Sequence, residues 1–183
     1  MEAVVEVVAE HGVPGATVSR IAQAARVSEG TLYVHFGSRD EMLKAALDSI
    51  FTQMSELIDS SEEQDAVARL RDIAQRHSEL MKTERGGFLY PWVEFIAAGP
   101  QVGLREAVAQ TQTRAFGKML SIVHQGQAEG TIRRDLDARR LTWEWYTVVW
   151  AENMSCLMGL TEFIDDRHSE YLSELILRDA MAS

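Results

Sequence analysis

The sequence predicts a nearly all-helical protein, and three observations carry that expectation. Ala, Leu, Glu, Arg, Gln and Met dominate the composition, and only three prolines occur in 183 residues. Apolar residues recur at i, i+3, i+4 and i+7 along most of the chain, while alternating strand patterns are scarce. With 46% hydrophobic residues, the chain is long enough for one sizeable core or two small ones, and too short for a large multidomain enzyme. About nine helices can be marked, divided into an N-terminal three-helix domain over residues 1–45 and a helical domain over 46–183.

The first helix spans about Glu2 to His11, with Val4, Val7 and Val8 on one face, and Gly12 ends it as a residue that tolerates a left-handed cap. Val13-Pro14-Gly15-Ala16 turns the chain. Thr17 is a hydroxyl N-cap for a second helix to about Ala25, and Ser28 caps a third through Phe36, leaving Ala25-Arg26-Val27 as the corner. Ile21, Ala22 and Ala25 share one face, and Val27, Leu32 and Phe36 supply the groups that oppose it. This spacing is that of a helix-turn-helix whose second member lies in the DNA major groove. Outward on that member remain Glu29, Gly30, Thr31, Tyr33, Val34 and His35, a mixture suited to base edges and phosphates. A phenol, an imidazole and a guanidinium donate to phosphate oxygens, which marks Tyr33, His35 and Arg39. Glu29 either accepts from a cytosine amino group or is an ordinary first-turn acid.

Gly12, Thr17, Ile21-Ala22, Ala25, Val27-Ser28, Gly30-Thr31-Leu32-Tyr33, His35-Phe36, Arg39 and Met42-Leu43 form a pattern that resembles the TetR family of bacterial transcriptional regulators. The resemblance covers roughly the first quarter of the chain. It implies a DNA-binding domain followed by a larger helical domain that binds a small effector and dimerises. It also places DNA contacts at Thr17, Ser19, Ser28, Glu29, Gly30, Thr31, Tyr33, Val34, His35 and Arg39. Two departures stand out. Members of the family usually carry a basic arm before the first helix, and the chain begins almost at that helix. Arg26 occupies a corner position where the family often has Gly, which costs ~1 kcal/mol in a left-handed conformation.

A fourth helix begins near Ser38, with Glu41 at capping-box spacing, and runs to about Asp59. Ser61 or its neighbours open a fifth, which Gly86-Gly87 ends. Pro91 suits the first turn of a short sixth helix that closes by Gly99-Pro100, and the seventh runs from about Val102 to Glu129. Asp137 caps an eighth from about Ala138 to Leu160, and the ninth occupies about Glu162 to Met181. Phe88, Trp92, Phe95, Phe116, Met119, Trp143, Tyr146, Trp150 and Met154 are each a core candidate and, as a group, candidates to line an apolar effector pocket. Glu94 and Glu152 interrupt apolar runs, as ligand contacts or as edge residues. The eighth helix is apolar around most of its circumference, including Leu141, Trp145, Val148 and Val149. Pairing it and the ninth with their mates makes a two-fold dimer.

The net charge of −10 excludes a chain that coats nucleic acid by bulk electrostatics, although residues 17–39 carry +2. Any DNA contact is therefore local. The five histidines are widely spaced and no metal-ligand, P-loop or dinucleotide motif occurs, so neither an enzyme, a metal nor a cofactor is expected. One cysteine allows no intrachain disulfide, and the most apolar stretch is interrupted by charge, consistent with a soluble cytoplasmic protein without membrane association. The expectation is a ligand-responsive regulator, a repressor released from an inverted-repeat operator. The alternative is a dimeric helical ligand-binding protein with weak or lost DNA binding.

Overall fold

A computed structural model describes residues 1–83, 89–98, 103–160 and 166–181, with the side chains of 81–83 and 166–170 outside the description. Among the described residues the fold is all-α, with nine helices and one isolated bridge between Ile132 and Met181. The helices are α1 (Glu2–Gly15), α2 (Val18–Ala25), α3 (Glu29–Phe36), α4 (Arg39–Asp59), α5 (Ala66–Thr83), α6 (Leu89–Ala97), α7 (Leu104–Glu129), α8 (Ala138–Leu157) and α9 (Asp166–Ala180). No helix among the described residues is long and apolar enough to cross a membrane.

The chain forms two compact units, one of residues 1–54 with 87–112 and one of residues 55–86 with 113–183. The single division expected after residue 45 misses α6, which returns to the first unit and packs on α1. Leu89, Trp92 and Phe95 are the reason: all three are buried, beside Val4, Val7 and Val8 of α1 in the same unit's core. Ile21, Ala22, Leu32, Met42, Leu43 and Leu47 complete that core. In the second unit, Ile58, Val67, Leu70, Ile73, Met119, Ile122, Ile132, Leu141, Trp145 and Leu177 form one buried cluster. α9 packs against both α5 and α8 there. Its C-terminal end is tied down where Arg133 N–H donates to the Ala180 carbonyl at 2.9 Å.

Side-chain caps mark the starts of five helices. Thr17 Oγ1 accepts from Arg20 N–H, Ser28 Oγ from Thr31 N–H and Asp137 Oδ1 from Arg139 and Arg140 N–H. Ser38 Oγ accepts from Glu41 N–H, but the Glu41 carboxylate pairs with Lys44 Nζ at 2.8 Å, so the capping box is only half formed. α5 starts at Ala66 rather than near Ser61, because Asp65 Oδ1 takes the Ala68 N–H at 2.8 Å and sets the N-terminus there. α8 stops at Leu157, not Leu160: Gly159 turns left-handed with φ +73°, and Leu160 N–H returns to the Ser155 carbonyl. Leu141 and Trp145, expected to extend an outward apolar surface on α8, lie in their own unit's core.

The corner between α2 and α3 is closed by Arg26 at φ 55°, ψ 41°, with Arg26 N–H on the Gln23 carbonyl and Val27 N–H on that of Ala22. Arg26 is the one described non-glycine residue with positive φ, and its side chain is exposed. Val27, expected to face α2, is 41% exposed, since the chain has already reversed at Arg26. Arg26→Gly is therefore expected to raise the unfolding free energy by about 0.5–1 kcal/mol, relief of left-handed strain exceeding the added flexibility of the unfolded chain. Chemical denaturation with an unchanged m-value checks it, and a variant less stable than the parent contradicts it.

Candidate nucleic-acid interface

The helix-turn-helix is presented by an elbow between α1 and α2. At Gly12 the backbone takes φ 68°, ψ 169°, a region that only glycine enters readily, so α1 is two helical pieces joined by a kink. The elbow's polar backbone groups are taken up by side chains from three helices. Val13 N–H donates to Glu94 Oε2 of α6 at 3.2 Å. Arg39, at the start of α4, donates from its terminal nitrogen to the Val13 carbonyl and from Nε to the Ala16 carbonyl, the latter at 2.7 Å. Arg20 Nη1 donates to the Gly15 carbonyl at 2.8 Å. Arg39, expected to meet phosphate, thus has its guanidinium turned inward, with a longer ion pair to Asp40 at 3.8 Å.

Beyond this elbow, α3 buries Leu32 and leaves Glu29, Gly30, Thr31, Tyr33, Val34 and His35 exposed. Tyr33 is 48% exposed and Val34 90%, although neither side chain is small or charged. Such a surface is costly in water unless a partner covers it. A side chain at Gly30 would meet only Ser28 Oγ, at 3.7 Å, so internal packing does not require glycine there. The hydroxyls of Ser28 and Thr31 are 2.8 Å apart and form one polar edge at the start of the helix. His35 and Phe36 make an edge-to-face ring contact with centroids 4.8 Å apart. Thr17 and Ser19 are exposed at the start of α2. The ten residues expected to touch DNA therefore include nine on exposed positions of one local motif, with Arg39 behind them.

The expected effector-lining residues belong to both units. Phe88 lies outside the described residues, and Trp92 and Phe95 are core residues of the first unit. In the second unit, Phe116 of α7 stands 5.4 Å from Tyr146 and 6.2 Å from Trp143 of α8, centroid to centroid. Trp143 is 60% exposed, whereas Met119 is buried in the core cluster. Trp150 and Met154 are half-buried further along α8. Burial pushes the Tyr146 phenol well above its ordinary pKa. Sequence reasoning missed the polar group beside this region. His77 of α5 points Nδ1 at Glu152 Oε2, 3.3 Å away, and Nε2 at Asn153 Oδ1, 3.1 Å away, and all three residues are buried. The available signal was His77 on the apolar stripe of its helix and Glu152-Asn153 interrupting α8.

The exposed α3 on a capped, kinked elbow has the geometry of a helix-turn-helix. Residues 1–46 match the family model for bacterial regulatory proteins of the tetR family. The transcriptional repressor KstR2 of Mycobacterium tuberculosis is 28% identical over 154 residues, covering 75% of this chain and 74% of that protein. A TetR family transcription regulator from Marinobacter aquaeolei VT8 superposes with a TM-score of 0.74 at 25% identity, covering 100% of this chain and 93% of the other. FadR from Bacillus subtilis, solved in complex with stearoyl-CoA, superposes with a TM-score of 0.66 at 22% identity, covering 97% and 93%. Residues 1–46 thus resemble the DNA-binding part of TetR-family regulators, and the chain as a whole is similar in sequence and fold to transcriptional regulators of that family, as the sequence led one to expect.

Tyr33→Phe is expected to weaken binding to all DNA sequences alike, because a phosphate donor is lost. Thr31→Ala and Glu29→Ala are expected to shift base preference by about 1–3 kcal/mol at one position. Competition among selected sites separates the two classes, and a uniform loss for Thr31→Ala would place that residue on the backbone instead.

Proposed function

We propose that the protein is a repressor that binds an inverted-repeat operator as a two-fold dimer and leaves it when a small amphipathic effector binds. The observation that carries the DNA reading is the outer face of α3, where Tyr33 and Val34 stand exposed while Leu32 is buried. One helix of eight residues contacts too few base pairs for a unique site, so two copies at fixed spacing are needed. Trp143 of α8 is 60% exposed and Tyr171 of α9 is 61% exposed, and the two helices pack together in the second unit. A mate covering both supports pairing through α8 and α9. Selection from random DNA at low and physiological salt is expected to return an inverted repeat, and sedimentation at micromolar protein a dimer. Tyr171→Glu with Trp143→Glu is expected to yield monomers with weakened operator affinity. A dimer undisturbed by that pair of changes counts against the interface.

The effector is expected to join an apolar body to a polar head. Tyr146, Trp150 and Asn153 share one face of α8 at helical spacing, so aromatic groups lead toward the His77–Glu152–Asn153 polar cluster. FadR of Bacillus subtilis holds stearoyl-CoA, which supports a long-chain acyl thioester as the first compound to try. Stearoyl-CoA is expected to shift indole emission saturably and to lower operator affinity by the same concentration range. A flat titration removes the acyl thioester from consideration. The second reading, a ligand-binding protein with weak DNA affinity, is favoured by Arg20 and Arg39 both donating to internal carbonyls in a chain of net charge −10. Failure of the selection to enrich any sequence would decide for it.

A further inference from the structure

Val13 is held at both ends of its backbone. Its N–H donates to the Glu94 carboxylate of α6, and its carbonyl accepts from the Arg39 guanidinium of α4. Residues 81 positions apart on one side and 26 on the other thus converge on one residue. The glycine before it makes room for this grip. A Cβ on Gly12 would come within 2.8 Å of Glu94 Oε2, and the left-handed φ of 68° excludes most other residues in any case. Downstream, Arg39 Nε also holds the Ala16 carbonyl, adjacent to the Thr17 cap from which α2 and then α3 are launched. Backbone groups satisfied by charged side chains are held more firmly than neutral pairs hold them.

We propose that Glu94 and Arg39 are positioning residues for DNA reading: together they clamp the Gly12–Thr17 elbow and so set where α3 stands. Neither residue touches DNA in this role. α6 packs on α1 through buried apolar side chains that resist sliding but do not fix a rotation, whereas a directional bond to one backbone N–H does. Glu94 is thereby the residue through which α6 bears on the recognition helix. The inference rests on the DNA-binding reading, but the clamp itself exists in the free protein and is accessible without DNA.

The test uses the full chain and a DNA site selected from random sequence by the parent protein. Glu94→Leu, which removes the acceptor, is expected to weaken that site about tenfold with the salt slope unchanged, and Glu94→Gln, which keeps an acceptor oxygen, to recover most of it. Arg39→Ala is expected to weaken binding with the same unchanged slope; a slope reduced by about one would make Arg39 a phosphate contact and overturn its part in the clamp. In the free protein, amide hydrogen exchange over residues 13–36 is expected to speed up in Glu94→Leu and Arg39→Ala and to stay slow in Glu94→Gln. Unaltered affinity and exchange in Glu94→Leu would overturn the proposal. So would an affinity loss that vanishes once the folded fraction, from thermal melting, is taken into account. If the parent selects no sequence at all, the DNA reading fails, and the exchange arm alone decides whether the clamp exists.

Discussion

The grip on Val13 is the constraint on which the first unit depends. An elbow of six residues, from Gly12 to Thr17, must reverse the chain while burying Val13 and Ala16, and its peptide groups cannot all find partners in regular helix. A buried peptide group without a partner costs more than a made hydrogen bond returns, so the surrounding side chains decide whether this elbow has one conformation or several. Arg39, Glu94 and Arg20 supply those partners from α4, α6 and α2. The position of α3 follows from an elbow held on several sides rather than from its own packing, which consists chiefly of Leu32.

That arrangement also bears on how an acidic protein addresses DNA. The basic groups of the motif are few, and Arg20 and Arg39 already serve the elbow. What α3 offers outward is a phenol and an imidazole that can donate to phosphate without bringing a fixed positive charge, beside hydroxyls, a carboxylate and an isopropyl group suited to base edges. Under the proposed function, affinity comes from doubling this small surface by symmetry, and specificity from the rigidity with which each copy is held. A loosely held α3 of this composition would have little long-range attraction to fall back on.

In the second unit, the apolar cluster is accompanied by paired polar groups. His77, Glu152 and Asn153 satisfy one another in a place where an isolated member would be costly. Arg71 and Glu174 join α5 to α9 near the surface; the guanidinium holds the Glu174 carboxyl below the usual carboxylate range and is itself held up by it. The pair is exposed to solvent, so it aligns two helices that apolar burial already brings together.

The all-helical class, the order of the helices, the ends of α2 and α3 and the start of α8 were legible from the chain alone. They depend on interactions close in sequence: Thr17, Ser28 and Asp137 each cap an N–H two or three positions away, and Arg26 closes a corner in a left-handed conformation. The exposed face of α3 was legible for the same reason, since helical periodicity separates Leu32 from its outward neighbours. Long-range partners carry no such local mark. Nothing near Arg39 in sequence announces that its guanidinium turns back to Val13, and nothing near Glu94 announces that it reaches the elbow. Nor does an aromatic run around Trp92 and Phe95 say which helix it packs on; only the placement of α6 beside α1 decided that, because burial is a property of the neighbours a side chain acquires and not of the side chain itself.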